Sequence, residues 1–179
     1  MKKITLFSIA LIFLSLSVQA QKKNAIKTNL FSPIIRTGHI LYERVINDDM
    51  SFQLGFFYTG YTDRDTDASL KGWGITPEFR YYLSESSAPA GFYLAPSLRY
   101  MSLTAEEPIY DDSATLTSFG IAINLGGQWL FKDVIILDVF VGPSYNFRNL
   151  ESTVDDYEAP INGVNGFGIR GGVVLGVAF

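Results

Sequence analysis

The chain contains no cysteine, a single histidine and, beyond its first twenty residues, no long apolar run. Without cysteine there is no disulfide to brace it in an oxidising compartment, and no lipidated N-terminal Cys to tether it as a lipoprotein. The apolar run at residues 4–18 is shorter than the roughly 20 residues a helix needs to cross a bilayer, and no later stretch comes close. A sustained helical periodicity is also missing from Asn24 onward, which leaves an all-β reading. Charge is scarce as well: Asp, Glu, Lys and Arg make up 18% of the chain, low for a soluble protein of this size.

What is present fits these absences. Lys2 and Lys3 precede the apolar run and Ala20 precedes Gln21, so residues 1–20 read as a cleaved signal peptide and 21–179 as a single domain. Aromatic residues are abundant, and glycine is plentiful without repeating. That mixture suits a sheet with one aromatic and aliphatic face toward lipid and an inner face that must leave room.

The predicted strands are residues 25–32, 39–46, 51–61, 71–83, 91–104, 114–131, 134–149 and 166–179, each alternating and bounded by polar clusters. Connections 47–50, 84–90 and 132–133 are short, whereas 62–70, 105–113 and 150–165 are longer and more acidic. A bacterial outer-membrane barrel has an even number of strands, short periplasmic turns and longer outer loops, and the alternation has that phase. Only the first outer connection, 32–38, is short. The prediction is an all-β, eight-stranded antiparallel up-and-down transmembrane β-barrel.

Side-chain phase supports it. In the fourth strand Trp73, Ile75, Phe79, Tyr81 and Leu83 share one face, and Gly74, Thr76, Glu78, Arg80 and Tyr82 the other. In the sixth, Phe119, Ile121, Ile123, Leu125, Trp129 and Phe131 oppose Ser118, Gly120, Ala122, Asn124, Gly126 and Gln128. A soluble barrel would carry its bulky apolar residues inside, the reverse of this pattern. Trp73, Tyr81, Tyr100 and Trp129 fall near strand ends, where interfacial girdles belong. A short repeat, TPEFRY from Thr76, APSLRY from Ala95 and GPSYNF from Gly142, puts a proline on the outer face of three strands, read as local bulges or bends.

Glu43, Glu78, Arg80, Arg99, Asp138 and Arg170 fall on inward phases. With Gln53, Asn124 and Gln128 they read as a structural plug, because charges at membrane depth must pair and an eight-stranded lumen is only wide enough for side chains. The alternation leaves the phase of the second strand, and so of Glu43, open. A selective pore or proton path is the functional alternative for the same residues.

The outer connections carry Asp63, Asp65, Asp67, Glu106, Glu107, Asp111, Asp112, Glu151, Asp155, Asp156 and Glu158 against Arg64 alone. They read as a solvated, repulsive exterior, or as sites where divalent cations bridge the loops to anionic lipopolysaccharide. Asp63, Asp65 and Asp67 imitate the start of an EF-hand, but Ala68 and Gly74 stand where glycine and a bidentate glutamate are needed. GFGIRGG, from Gly166, has no βαβ unit around it, so its glycines read as relief of crowding inside the barrel. Val173, Leu175, Val177 and Phe179 share one face of the last strand, opposite Gly172, Val174, Gly176 and Ala178, and read as the signal recognised by the barrel-assembly machinery.

Signal peptide, eight strands and terminal phenylalanine together resemble the small OmpA-like and OmpX-like barrels. KTNLF from Lys27, ITPEFRYYL from Ile75 and LAPSLRY from Leu94 are similar to an uncharacterised outer-membrane barrel family common in Bacteroidetes. The resemblance rests on strand patterns. It implies the barrel fold and the outer membrane of a Gram-negative bacterium, and it carries over no active site or cofactor. Some small outer-membrane barrels are lipid A deacylases or acyltransferases that use a histidine with a serine and an acid. His39 could be approached by Ser32 or Ser118, but no nucleophile motif accompanies it.

The resulting expectation is a monomeric, non-enzymatic outer-membrane barrel with a structural or surface-interaction role. It has no cofactor, bound metal centre or nucleic-acid partner, and is surrounded by outer-membrane lipid and lipopolysaccharide. The alternatives are a narrow channel for small solutes or hydrophobic compounds, and a lipid-modifying enzyme.

Overall fold

The structure, a computed structural model, describes residues 22–62, 69–84, 87–107, 112–152 and 166–179. The segment expected to be a signal peptide lies outside them. Eight strands are described: β1 (Asn24–Asn29), β2 (Thr37–Asn47), β3 (Met50–Thr62), β4 (Ser69–Tyr82), β5 (Gly91–Glu107), β6 (Asp112–Phe131), β7 (Ile135–Ser152) and β8 (Gly166–Ala178). Each pairs antiparallel with its sequence neighbours, and β1 pairs with β8, so the sheet closes into an up-and-down barrel. No helix among the described residues is long and apolar enough to cross a membrane, which bears on helices alone.

The strand ends differ from expectation for local reasons. β1 stops at Asn29, whose side-chain oxygen accepts the Phe31 N–H at 2.9 Å. Pro33 then enters a single 3₁₀ turn, Ser32–Ile35, and Arg36 closes it at φ 53. β5, β6 and β7 run beyond their predicted ends, because the backbone ladder continues through Glu106↔Ser113 and Glu107↔Asp112 despite the poor strand propensity of acidic residues. A hydroxyl pair across the same ladder, Thr104 with Thr115 at 3.2 Å, helps hold it. At the opposite end Lys132 and Asp133 have φ of 53 and 55, the backbone signs of a two-residue turn whose twist matches its flanking strands.

The barrel therefore has a turn end, holding the short connections at residues 48–49, 83–90 and 132–134, and a loop end, holding the 3₁₀ turn and the ends of the longest strands. Glu43 is buried, which fixes the phase of β2: Leu41, Glu43 and Val45 point inward and Ile40, Tyr42 and Ile46 outward. The outward face is apolar round the barrel, with Phe52, Trp73, Phe79, Phe119, Trp129 and Phe167 all exposed. Polar and small residues fill most of the inside, with Leu41, Val45, Phe57, Leu116 and Ile136 buried among them.

All three repeat prolines point outward, and each pairs with a strand on one side while the ladder lapses on the other. Pro77 faces Leu54 of β3, Pro96 faces Ile123 of β6 and Pro143 faces Ile169 of β8. Pairing between β4 and β5 is interrupted around Pro77 and Pro96, and between β6 and β7 around Pro143. This is the loss expected of a residue with no N–H to donate. The three prolines line one hollow on the outer surface, about 560 Å³, with Phe79, Leu98 and Ile121.

Glycines set the bore where large side chains cross it. A methyl at Gly126 would collide with the Tyr93 ring, and one at Gly176 with the stem of Lys27 and the Ile26 carbonyl. The GFGIRGG glycines divide between the faces: Gly171 is exposed on the outside, and only its neighbours in phase with Arg170 relieve the interior.

Candidate functional site

The turn half of the lumen is occupied by a continuous polar network built from seven strands, β1 to β7. Lys27 of β1 sends its three ammonium donors to Glu43 Oε2 at 2.7 Å, Gln128 Oε1 at 2.8 Å and Asp138 Oδ2 at 3.2 Å. Arg80 of β4 gives Nε to Glu78 Oε1 at 2.8 Å, and Nη1 to Gln128 Oε1 at 2.9 Å and Asp138 Oδ2 at 2.8 Å. Its guanidinium also lies over the Tyr93 ring, 4.3 Å from the centroid. The second oxygens of the carboxylates are used too. Glu43 Oε1 accepts from the Ser51 and Tyr82 hydroxyls, Asp138 Oδ1 from Tyr93 at 2.7 Å, and Glu78 Oε2 from Asn124 at 2.9 Å.

Three carboxylates and two cations are thus held out of water, with neutral amides and hydroxyls saturating the remainder. Glu43, Asn124, Gln128 and Asp138 are 0% exposed and Lys27 and Arg80 1%, so no water column passes between them. Burying these charges without partners would cost on the order of several kcal/mol each; the pairing offsets that cost and fixes each rotamer. Two acceptors in the layer above stay unmatched, Gln53 Oε1 and Asn124 Oδ1.

The loop half is different in kind. Arg99, Arg170 and His39 line a cavity of about 340 Å³ together with Asn29, Ser32 and Thr76. Arg170 donates to Ser97 Oγ at 3.2 Å, and Arg99 sits over Phe57, 5.2 Å from the ring centroid. Among the described residues neither arginine forms an ion pair.

Of the residues assigned to the lumen from sequence, Glu43, Gln53, Glu78, Arg80, Asn124, Gln128 and Asp138 meet in one network, Arg170 touches its edge through Ser97, whose Oγ also accepts from Asn124 at 3.4 Å, and Arg99 stands apart on the loop side. Lys27, Ser51 and Tyr93 belong to the network and are not foreseen, and Tyr82, read from sequence as facing inward, joins it through Glu43. The signal for Lys27 was present: Ala25, Lys27 and Asn29 alternate with Ile26, Thr28 and Leu30. Ser118 is buried but does not line the cavity that holds His39 and Ser32. Among the described residues no carboxylate lines that cavity, so His39 has no acid beside it there.

Of the acidic outer-connection residues, Asp63, Asp65, Asp67, Asp111, Asp155, Asp156 and Glu158 lie outside the described residues, as do Arg64 and the partial EF-hand motif as a whole. Glu106 belongs to β5 rather than to a loop, and it is exposed, 3.5 Å from Lys71 and accepting from Ser69 at 3.0 Å. On β8, Leu175, Val177 and Phe179 point outward and are exposed.

Residues 6–164 match a family described as protein of unknown function, DUF3575. The chain belongs to that family. No curated protein and no solved structure matches it. For this DUF3575 member, function must be read from the lumen and the outer surface themselves.

Proposed function

We propose that the chain is an integral outer-membrane β-barrel of a Gram-negative bacterium, closed to solute flow, with a structural or surface-interaction role. The observation that carries this reading is the turn-half network, in which every charge is buried and paired. A conducting lumen needs a wetted path, and the sealed layer offers none.

The membrane part of the reading rests on the outer surface. Tyr58, Trp73, Tyr100, Phe119 and Phe147 form an exposed aromatic belt toward the loop end, and Tyr81, Phe92, Trp129 and Phe131 another toward the turn end. Rings touch within each belt, Trp73 with Tyr100 at 5.5 Å and Phe92 with Trp129 at 6.3 Å between centroids. Phe119 and Trp129 lie ten residues apart on β6; at the usual strand rise and barrel tilt this separates the belts by about 25 Å, the height of an outer-membrane apolar band. An apolar surface this extensive would drive aggregation in water.

Planar-bilayer recording on the refolded protein tests the sealed state: silence is expected, and steady unitary currents would overturn it. Cell fractionation tests location. The protein is expected in the detergent-extracted outer membrane, and its recovery from the soluble periplasm would refute the membrane assignment.

A further inference from the structure

We propose that the loop-half cavity is a binding site for a small oxyanion, a carboxylate or phosphate group held between Arg99 and Arg170. Both side chains line the same 340 Å³ space. A water takes about 30 Å³ of liquid, so the cavity has room for an anion of several heavy atoms and its hydration.

Charge accounting within one lumen makes the case. In the turn half the carboxylates of Glu43, Glu78 and Asp138 are committed to Lys27, Arg80 and neutral donors, with both oxygens of each accepting hydrogen bonds. None lines the loop-half cavity. Arg170 uses one of its donors, on the neutral Ser97, and the Nε of Arg99 is buried with no hydrogen-bond partner. Two like charges facing one low-dielectric space repel, and unmet guanidinium donors are costly to bury. The same barrel gives Lys27 three acceptors and pairs Arg80 with two carboxylates, so two lumen arginines with no ion-pair partner among the described residues are an exception to its own construction.

The donor type selects the ligand. A guanidinium presents a planar fork that matches the two oxygens of a carboxylate or phosphate, and two forks across one cavity grip such a group from opposite sides. The Asn29 amide, the Ser32 and Thr76 hydroxyls and His39 line the remaining polar wall, while Phe57 and Phe140 supply an apolar side. The cavity lies in the loop half of the barrel, and an anion held there comes either free from water or as the phosphate of a lipid or lipopolysaccharide headgroup.

Isothermal titration of the protein refolded in neutral detergent, at low salt, tests the site with inorganic phosphate and with acetate as probes. One saturable site is expected. Its affinity should fall at least tenfold in Arg99→Gln and in Arg170→Gln, vanish in the double variant, and stay unchanged in Lys71→Gln, whose cation lies on the exposed outside. Arg170→Lys keeps the charge but not the fork and should bind more weakly than wild type yet better than Arg170→Gln. Circular dichroism checks that each variant is folded. Should a glutamine variant fail to fold, phosphate protection of the wild type against thermal unfolding, absent with chloride at equal ionic strength, reads the same site. No saturable binding of either probe by the wild type, or undiminished binding by a folded double variant, would overturn the proposal. Reconstitution then separates the sources. A site that stays open to free phosphate in vesicles containing phosphatidylglycerol or lipopolysaccharide takes a soluble anion, and one that becomes blocked there only when both arginines are present takes the headgroup.

Discussion

Tyr93 serves Arg80 and Asp138 at once: its ring lies 4.3 Å beneath the Arg80 guanidinium while its hydroxyl donates to Asp138 at 2.7 Å. The ring keeps water from the cation, and the hydroxyl satisfies the oxygen of Asp138 that neither cation reaches. Tyr93→Phe should therefore leave the stacking intact and orphan Asp138 Oδ1, at a cost of about 1–3 kcal/mol in chemical unfolding of the refolded barrel. An unchanged unfolding midpoint would show that the hydroxyl adds nothing net.

Removing a cation from the network should cost more. Lys27→Ala leaves Glu43 and Asp138 buried with one neighbour fewer, and breaking such a pair typically destabilises by about 3–5 kcal/mol. The comparison is Lys71→Ala, which loses only an exposed pair with Glu106 and should cost less than about 1 kcal/mol. Equal losses in the two variants would show that the buried network is no stronger than a surface contact.

Gly126→Ala should destabilise through the Tyr93 ring, by about 1–3 kcal/mol for an overpacked interior. Because the clash is with that ring, combining it with Tyr93→Ala should cost less than the two changes summed. Strict additivity in the double-mutant cycle would place the strain elsewhere.

Phe179 has two separable roles. Its backbone exchanges hydrogen bonds with Asn24 across the β1–β8 seam, at 3.1 and 2.8 Å, while its side chain points outward. Phe179→Ala keeps the seam and should refold normally in detergent, yet its assembly yield in cells should drop if Val173, Leu175, Val177 and Phe179 act as the assembly signal. Phe167→Ala, at the other end of the same strand and equally outward, is the control. A matching drop in both would reduce Phe179 to one more apolar surface residue.

The strand count, the closed order and the facing of Trp73, Glu78, Asn124 and Gln128 were all legible in the sequence, because alternation reports side-chain facing residue by residue. Alternation is silent about partners across the bore. Lys27 stands on a strand of six residues next to the polar stretch 21–24, where a lysine ordinarily faces water. Nothing local to it foretells Asp138. Tyr82 and Tyr93 point inward although aromatic residues in such a barrel mostly face out, and only the facing glycine at 126 makes room for the second ring. Arg99 and Arg170 share the inward phase of Arg80, yet what separates them is depth along the bore, which phase does not encode.

The three bonds of Lys27 span 16, 101 and 111 residues of chain. Within an open sheet Lys27 can reach Glu43 on the neighbouring strand, but Gln128 and Asp138 come within its reach only across the closed bore. Bonds between neighbouring strands, such as Ser51 to Glu43 and Gln53 to Glu78, need only the local ladder, whereas the cross-bore bonds of Lys27 need the first strand to meet the last. Circularisation is in this sense proofread by charge: a sheet that zipped in the wrong register, or left its seam ajar, would expose unmatched carboxylates within an otherwise greasy ribbon and fall apart rather than persist.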